Sequence, residues 1–144
     1  MSTVACINIA DALVSLIAAA TLPQAVTVER RWTAPLPREQ IKAPLVLVVP
    51  IAVELDFETR GEYASDWQIA LAIYAPASGT PATATVDALM ELAEAIYLIA
   101  RSNEALAEGR LIALNLEPML DPEAIIGRGL FATIATLTYR SIAG

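Results

Sequence analysis

The sequence predicts an α+β domain whose mainly antiparallel β-sheet is covered on one face by two helices. Two observations support this prediction. Runs of β-branched and alternating apolar residues, which are typical of strands, come in groups instead of alternating singly with helices. Two other segments repeat apolar residues at helical spacing. The expected order is α-β-β-β-α-β-β in one domain spanning residues 1–144, because this length suits a single core.

The first helix is expected between Thr3 and Ala20, because Pro23 disfavours helix in the residue before it. The segment is apolar enough to be weighed as a signal peptide or membrane span. No Lys or Arg precedes it, however, and polar residues interrupt it. We therefore expect an amphipathic helix buried in the domain, and no membrane. Its apolar stripe consists of Ile9, Leu13, Leu16, Ile17 and Ala20.

Four strand-like segments follow the first helix, and only Pro50 and Ile51 separate the second from the third. Residues 25–32 (AVTVERRW) form a β-branched run, and residues 45–49 (LVLVV) predict a strand that is buried on both faces. Pro50 cannot donate a ladder hydrogen bond, so a bulge or an edge position is expected there. Residues 52–59 and 66–75 have matching lengths and alternate, which favours an antiparallel hairpin.

The second helix is the clearest element in the sequence, with Thr85 as its expected N-cap. Its stripe is Val86, Leu89, Met90, Ala93, Ile96, Tyr97 and Ala100. Residues 103–108 (NEALAE) predict a further helical turn that ends at Gly109. Residues 110–116 and 130–140 are then expected to be strands.

Three carboxylates occupy one predicted strand face in the stretch IAVELDFETRG. Glu54, Asp56 and Glu58 alternate with apolar residues, and Arg60 follows just beyond them. Side chains two apart on a strand are separated by about 6.5–7 Å. The apolar face of the same strand, which is expected to supply core, is Val53, Leu55 and Phe57.

The acidic face has four interpretations. Paired carboxylates at this spacing can serve as acid and base in glycoside hydrolysis, but that chemistry needs a cleft that raises one pKa. A site for a hard cation is not supported, because the carboxylates do not have the spacing of an EF-hand loop. A solvated or inter-strand paired face is favoured, and a surface for another subunit or partner comes second.

Two further sites carry charged or aromatic side chains. Arg30 and Arg31 point to opposite sides of a strand, which favours an ordinary strand end with cross-strand ion pairs over a phosphate or partner site. Trp67 alternates with apolar residues and is expected to be a core aromatic, with an interface anchor as the alternative.

The composition excludes several classes of function. The chain has no histidine and one cysteine, so it has no Ser-His-Asp or Cys-His site, and almost every zinc constellation is excluded. Its net charge of −7 opposes sequence-independent binding to nucleic acid. We therefore expect a structural protein that is not an enzyme, with no cofactor and no metal. The high hydrophobic content, 56%, has two explanations, a membrane or a protein that buries surface in an oligomer.

Taken in order, VERRWTAPL, LVLVVPIAVELDFETR, DWQIALAIYAP, VDALMELAEAIYLIARSN and GLFATIATLTYR resemble tail-completion proteins of long-tailed bacteriophages. These proteins are also called tail terminators or neck proteins. The resemblance implies an α+β fold and a homo-oligomeric ring, commonly a hexamer. Such a ring caps the completed tail tube, ends its polymerisation and joins the tail to the head-side connector. The implied location is the neck of the virion, with the host cytoplasm as the site of assembly.

The resemblance also implies partners and surfaces. The partners would be further copies of the chain, the tail tube protein, the head-side connector and, in a contractile tail, the sheath. DNA would only pass through the ring. The charged residues become candidates for the lumen or the subunit interface: Glu54, Asp56, Glu58, Arg60, Arg30, Arg31 and Trp67. Another connector of the same particle, a stopper or adaptor, is the first alternative, and a small ligand-binding domain is the second.

Overall fold

The structure, a computed structural model, describes residues 4–32, 41–57, 63–76, 83–116 and 130–143. It confirms the α+β class and the predicted order of elements, and adds one short strand before the last two. The helices are α1, Ala5–Ala18, and α2, Thr83–Ser102. The strands are β1, Thr27–Arg30; β2, Leu45–Phe57; β3, Tyr63–Pro76; β4, Ala105–Leu106; β5, Gly109–Leu116; and β6, Leu130–Ala143.

All six strands belong to one sheet in the order β1-β2-β3-β6-β5-β4. The pairs β2–β3, β3–β6, β5–β6 and β4–β5 are antiparallel, which confirms the predicted hairpin of β2 and β3. Only β1 runs parallel to its neighbour, β2, among the described strands. The β2–β3 register shifts between Pro50 and Ala52, so the proline marks an irregularity in the ladder as predicted.

The main core lies between the two helices and one face of the sheet. Helix α1 turns Ile9, Leu13 and Ile17 fully inward, since apolar residues three and four apart lie on one helical face. Helix α2 contributes the buried part of its predicted stripe, which packs with residues of β2, β3 and β6. The expected amphipathic helix is thus confirmed. No helix in the described segments is both long and apolar enough to cross a bilayer.

A second, smaller cluster buries part of the opposite sheet face. Ile41, which precedes β2, is 1% exposed and packs there with Leu47 and Val49 of β2 and Tyr74 of β3. Residues 45–49 are therefore buried on both faces, as predicted. The chain therefore covers part of this sheet face itself.

Several predicted boundaries and one predicted element differ from the structure. Helix α1 begins at Ala5 and ends at Ala18, and β1 covers Thr27–Arg30 within the longer predicted run. Thr85 lies inside α2, which begins at Thr83, so it is not the N-cap.

The predicted helical turn at residues 103–108 is wrong, because this segment contains β4 and a tight connection to β5. The backbone turns at Ala107, which has a φ of +50° in the left-handed region. Gly109 follows at a close approach: a Cβ on it would lie 2.7 Å from Ile9 Cδ1 and 3.1 Å from Tyr139 Cβ. Packing against α1 thus overrides the helix propensity of the sequence.

Two buried tyrosines differ in their hydrogen bonding. The Tyr97 hydroxyl on α2 lies 3.2 Å from Thr133 Oγ1 on β6. Burial raises the pKa of Tyr97 to about 12, although the hydrogen bond with Thr133 acts to lower it. The Tyr139 hydroxyl on β6 is buried without a hydrogen-bond partner in the described part of the chain. Burial raises its pKa above the usual range.

The two tyrosines are expected to respond in opposite directions to loss of the hydroxyl. Tyr139→Phe should raise the free energy of unfolding by up to about 1 kcal/mol, because it removes a buried polar group that has no partner. Tyr97→Phe should lower it by about 1 kcal/mol, because it breaks the hydrogen bond to Thr133. Urea unfolding followed by circular dichroism measures both changes. A loss of stability in Tyr139→Phe equal to that in Tyr97→Phe would contradict this assignment.

Candidate assembly surfaces

A row of four charged residues crosses the sheet on the face opposite the helices. The register places Glu54 of β2 across from Asp66 of β3, Asp66 across from Arg140 of β6, and Arg140 across from Arg110 of β5. Arg140 donates to both carboxylate oxygens of Asp66, at 2.8 and 2.9 Å. Arg110 donates to Glu104 at 3.2 Å. The row is therefore acidic at its β2 side and basic at its β5 side.

The hydrogen bond from Arg140 holds the pKa of the Asp66 carboxyl below its ordinary value of 3.8, against partial burial that acts to raise it. The positive charge of Arg140 adds a smaller effect in the same direction. A lowered pKa means that Asp66 binds a proton less readily in the folded state than in the unfolded state. The pair therefore stabilises the fold only while Asp66 is ionised.

The stabilisation from this pair is expected to be complete above about pH 4 and to disappear as pH falls through the lowered pKa of Asp66. At neutral pH, Asp66→Asn should cost about 1 kcal/mol, since the pair is bidentate but Arg140 is half exposed. The difference between wild type and variant should shrink towards pH 2 in urea titrations. Glu54→Gln, which leaves both members of the pair in place, is the control. Parallel pH profiles for wild type and Asp66→Asn would contradict the prediction.

The distal part of β2, residues 51–57, is exposed where the sequence predicted core. Val53 is 45% exposed and Leu55 64% exposed, so the prediction that this face supplies core is wrong for both residues. The physical reason is coverage: alternation places them on the helix side of the sheet, but no helix of the described chain extends over them. Glu54 is exposed as well. The side chains of Asp56 and Phe57, and all of Glu58 and Arg60, lie outside the described residues.

The distal part of β2 also has a free edge. Strand β1 pairs only with Leu45–Val48, and the backbone N–H of Arg31 extends this pairing to the carbonyl of Val48. Beyond that point β2 has β3 on one side and, within the described residues, no strand on the other. Unpaired backbone donors and acceptors along such an edge are a template for another chain.

The end of β1 brings two arginines and an exposed tryptophan together. Arg30 pairs with Asp11 of α1 at 2.6 Å, and Arg31 pairs with Glu29 at 2.7 Å. Both arginines thus make ion pairs, but the prediction of cross-strand pairs is wrong. Arg30 pairs with a residue of α1, and Arg31 pairs with a residue two positions before it in the chain. The guanidinium of Arg30 lies 5.3 Å from the ring centre of Trp32, a cation–π distance. Trp32 is 58% exposed.

Trp67 is a half-buried aromatic at the margin of the main core. It packs against the core cluster, in register with Tyr139 on the neighbouring strand. Its indole N–H donates to Ser141 Oγ at 2.9 Å. The core role is therefore confirmed in part, and the hydrogen bond satisfies the one polar group of the side chain.

An open groove of about 620 Å³ runs between α2 and β5. Its floor and walls are mainly apolar, and its rim carries three carboxylates and one arginine. The apolar lining is Met90, Tyr97, Leu98, Leu114 and Leu116, and the charged rim is Asp87, Glu91, Glu94 and Arg101. Leu98 is 48% exposed. The groove follows the outer edge of β5, where β4 pairs only with Gly109 and Arg110.

Sequence reasoning missed this groove, although one signal for it was present. Asp87, Glu91 and Glu94 stand four and three residues apart, a spacing that places them on one helical face. Leu98 and Arg101 continue that face. Leu98 is an apolar residue on this otherwise charged and exposed face. Such a residue indicates that the face does not contact water alone. Identifying the β5 side of the groove requires the order of the strands in the sheet, which the sequence did not predict.

The side chains of the described surfaces are better suited to contacts with another molecule than to catalysis. No three Cys, Asp or Glu side chains in the described segments are grouped so that they could hold a metal ion. The charged side chains of the groove are exposed on its rim. What the arrangement provides is an apolar groove with an acidic rim, an arginine-flanked tryptophan and a free strand edge.

No protein-family model matches the chain, and no curated protein matches it. Among solved structures, the chain is similar to a component of the virion of a native gene transfer agent (GTA) particle. The two share 16% sequence identity and superpose with a TM-score of 0.64, over 99% of this chain and 100% of the other. The chain therefore has the same fold as this virion component along its whole length.

Proposed function

We propose that the protein is a structural, non-enzymatic component of a phage-like virion, and more specifically a tail terminator. In this role it forms a ring that caps the tail tube, ends its polymerisation and joins the tail to the head-side connector. The observation that carries the proposal is the full-length fold similarity to a chain of a gene transfer agent virion. The similarity covers 99% of this chain and 100% of the virion component, which supports a comparable structural unit.

The surface of the chain supports an assembled state. Within the described residues, three surfaces have no covering element: exposed Val53 and Leu55, the free edge of β2 and the apolar groove beside α2. A monomer gains nothing from such surfaces, while neighbouring subunits would bury them. The ring size, commonly six, and the neighbours at each end of the ring follow from the resemblance to tail-completion proteins.

The proposed lumen role of the acidic strand face is compatible with its exposure. Glu54 faces away from the helices and stands beside Asp66, so this part of the sheet presents negative charge. A negative lumen would repel phosphates and let DNA pass without binding. The other candidates for lumen or interface are Asp56, Glu58, Arg60, Arg30, Arg31 and Trp67.

Removal of the gene from the genome that encodes the particle, followed by electron microscopy, tests the proposed function. Loss of a terminator should give tails of uncontrolled length that lack heads. Loss of a stopper or adaptor should instead leave tails of normal length and unjoined heads, which would favour the connector alternative. Gold labelling of the tagged chain should mark one point at the head-proximal end of the tail. Normal, unlabelled particles would exclude a virion role.

The ligand-binding alternative rests on the groove, whose volume lies in the range of small-molecule sites. Its charged residues are on the rim and exposed, so they would orient a buried ligand poorly. A purified chain that remains monomeric and retains a small molecule in native mass spectrometry would favour this alternative over the virion role.

A further inference from the structure

The charge of the groove beside α2 restricts what can occupy it. Asp87, Glu91 and Glu94 outnumber Arg101 on the rim, so an occupant gains most if it brings an apolar side chain flanked by cations. The distal part of β2 is a poor match, because Glu54 lies between Val53 and Leu55. It would bring a further carboxylate to an acidic rim.

The end of β1 has the complementary character. Trp32 is the one aromatic among the large apolar side chains exposed in the described part of the chain. Arg30 and Arg31 stand beside it, and Lys42 lines a shallow depression together with Arg31 and Glu29. Both arginines already have carboxylate partners, but those ion pairs are exposed and hence weak, so the arginines can reach a second partner. Tryptophan and arginine are the residues most enriched at the energetic centres of interfaces.

One chain cannot place its own Trp32 in its own groove. Strand β1 is at one edge of the sheet and β5 is four strands away. At about 4.8 Å per strand, the two features are separated by roughly 19 Å. The groove and the tryptophan can therefore meet only between two copies, and the contact uses different surfaces on the two partners. Such a head-to-tail contact forms a closed ring when its rotation closes.

We propose that the contact between neighbouring copies is made by Trp32 of one copy, which docks in the groove between α2 and β5 of the next copy. Arg30 and Arg31 then face the acidic rim formed by Asp87, Glu91 and Glu94. This proposal deepens the proposed ring function and rests on it, because it assigns the two surfaces through which the ring closes. The acidic sheet face stays outside this contact.

Disulfide trapping between two different variants tests the contact directly. In a Cys6→Ser background, one chain carries Trp32→Cys and a second carries Leu98→Cys. A mixture of the two, oxidised at high concentration, should give at least about tenfold more cross-linked dimer than either variant alone. Ile142→Cys, an exposed position on the opposite sheet face, is the control partner for Trp32→Cys. Equal yields with Leu98→Cys and Ile142→Cys would overturn the proposal. Glu94→Cys supplies a second groove position if Leu98→Cys fails to fold.

Charge reversal gives an independent test by sedimentation velocity. Arg31→Glu and Glu91→Arg should each weaken self-association at least about tenfold, because each places like charges in contact. The double variant Arg31→Glu/Glu91→Arg should recover most of the wild-type association. Arg110→Glu, an exposed position on the sheet face opposite the groove, should leave it unchanged. A double variant as weak as the single variants, or a wild-type chain that is monomeric and does not cross-link, would overturn the proposal.

The outcomes separate this proposal from the proposed function. A protein that marks the head-proximal end of the tail but gives no specific cross-link between positions 32 and 98 keeps its function and loses this contact. A protein that cross-links specifically but is absent from particles keeps the contact and loses the function.

Discussion

Leu47→Ala is expected to lower the free energy of unfolding by about 2–5 kcal/mol. Leu47 is fully buried in the second cluster, on the sheet face away from the helices, next to Ile41 and Tyr74. Truncation removes the apolar contacts of the side chain and leaves a cavity that the surrounding strands can fill only in part. Urea unfolding followed by circular dichroism measures the change.

The matched control for this prediction lies on the same strand. Leu55→Ala should change the free energy of unfolding by no more than about 0.5 kcal/mol, because the side chain is mostly exposed. The same Leu→Ala change thus compares the buried half of β2 with its exposed half. Equal losses in the two variants would mean that the distal half of β2 is also packed in the isolated chain. A small loss for Leu47→Ala would mean that the second cluster is not a core.

Gly109→Ala is expected to lower the free energy of unfolding by about 1–3 kcal/mol. The added Cβ would lie 2.7 Å from Ile9 Cδ1 and 3.1 Å from Tyr139 Cβ. Ile9 and Tyr139 are both fully buried, so neither can move without disturbing the packing of α1 on the sheet. Thermal and urea unfolding of the purified variant measure the loss.

A second substitution shows whether the close approach is the cause. Ile9→Val removes the Cδ1 atom that the new methyl group would meet. In the Gly109→Ala background it should cost less than in the wild type, where it should cost about 0.5–1.5 kcal/mol. Additive losses would mean that Gly109→Ala acts through the backbone and not through contact with Ile9.

The fold class could be predicted because its signals are local. Alternation in residues 66–75 and the apolar stripe of α2 depend only on neighbours along the chain, and both elements form, with β3 extending to Tyr63–Pro76. The irregularity beside Pro50 was predictable for the same reason, since proline has no N–H to donate. The parallel pairing of β1 with β2 depends on where α1 lies, and alternation carries no information about that.

The residues that were predicted wrongly show what local sequence patterns cannot reveal. Alternation identified Val53 and Leu55 as members of one face, but whether that face is covered depends on how far the helices extend. Ala, Leu and Glu favour helix in residues 103–108, yet the chain forms a hairpin there because α1 packs against Gly109. Ile41 follows a proline-containing connection with no periodicity, so its burial in the second cluster had no sequence signal.

The candidate surfaces were predictable only one strand or helix at a time. The pairing of Arg30 with Asp11 and of Asp66 with Arg140 joins residues 19 and 74 positions apart, and only the sheet order and the helix placement bring them together. The groove forms only because α2 and β5 lie side by side. Individual residues could be selected from the sequence, but the complementarity between two distant surfaces could not.

The free edge of β2 has a consequence for the chain before it assembles. Two copies that meet along this edge in antiparallel fashion, centred on position 54, would bring their Glu54 carboxylates together. Charged side chains placed in this way act as gatekeepers against uncontrolled sheet extension and fibre formation. Glu54 is thus expected to disfavour pairing between the β2 edges of two unassembled chains.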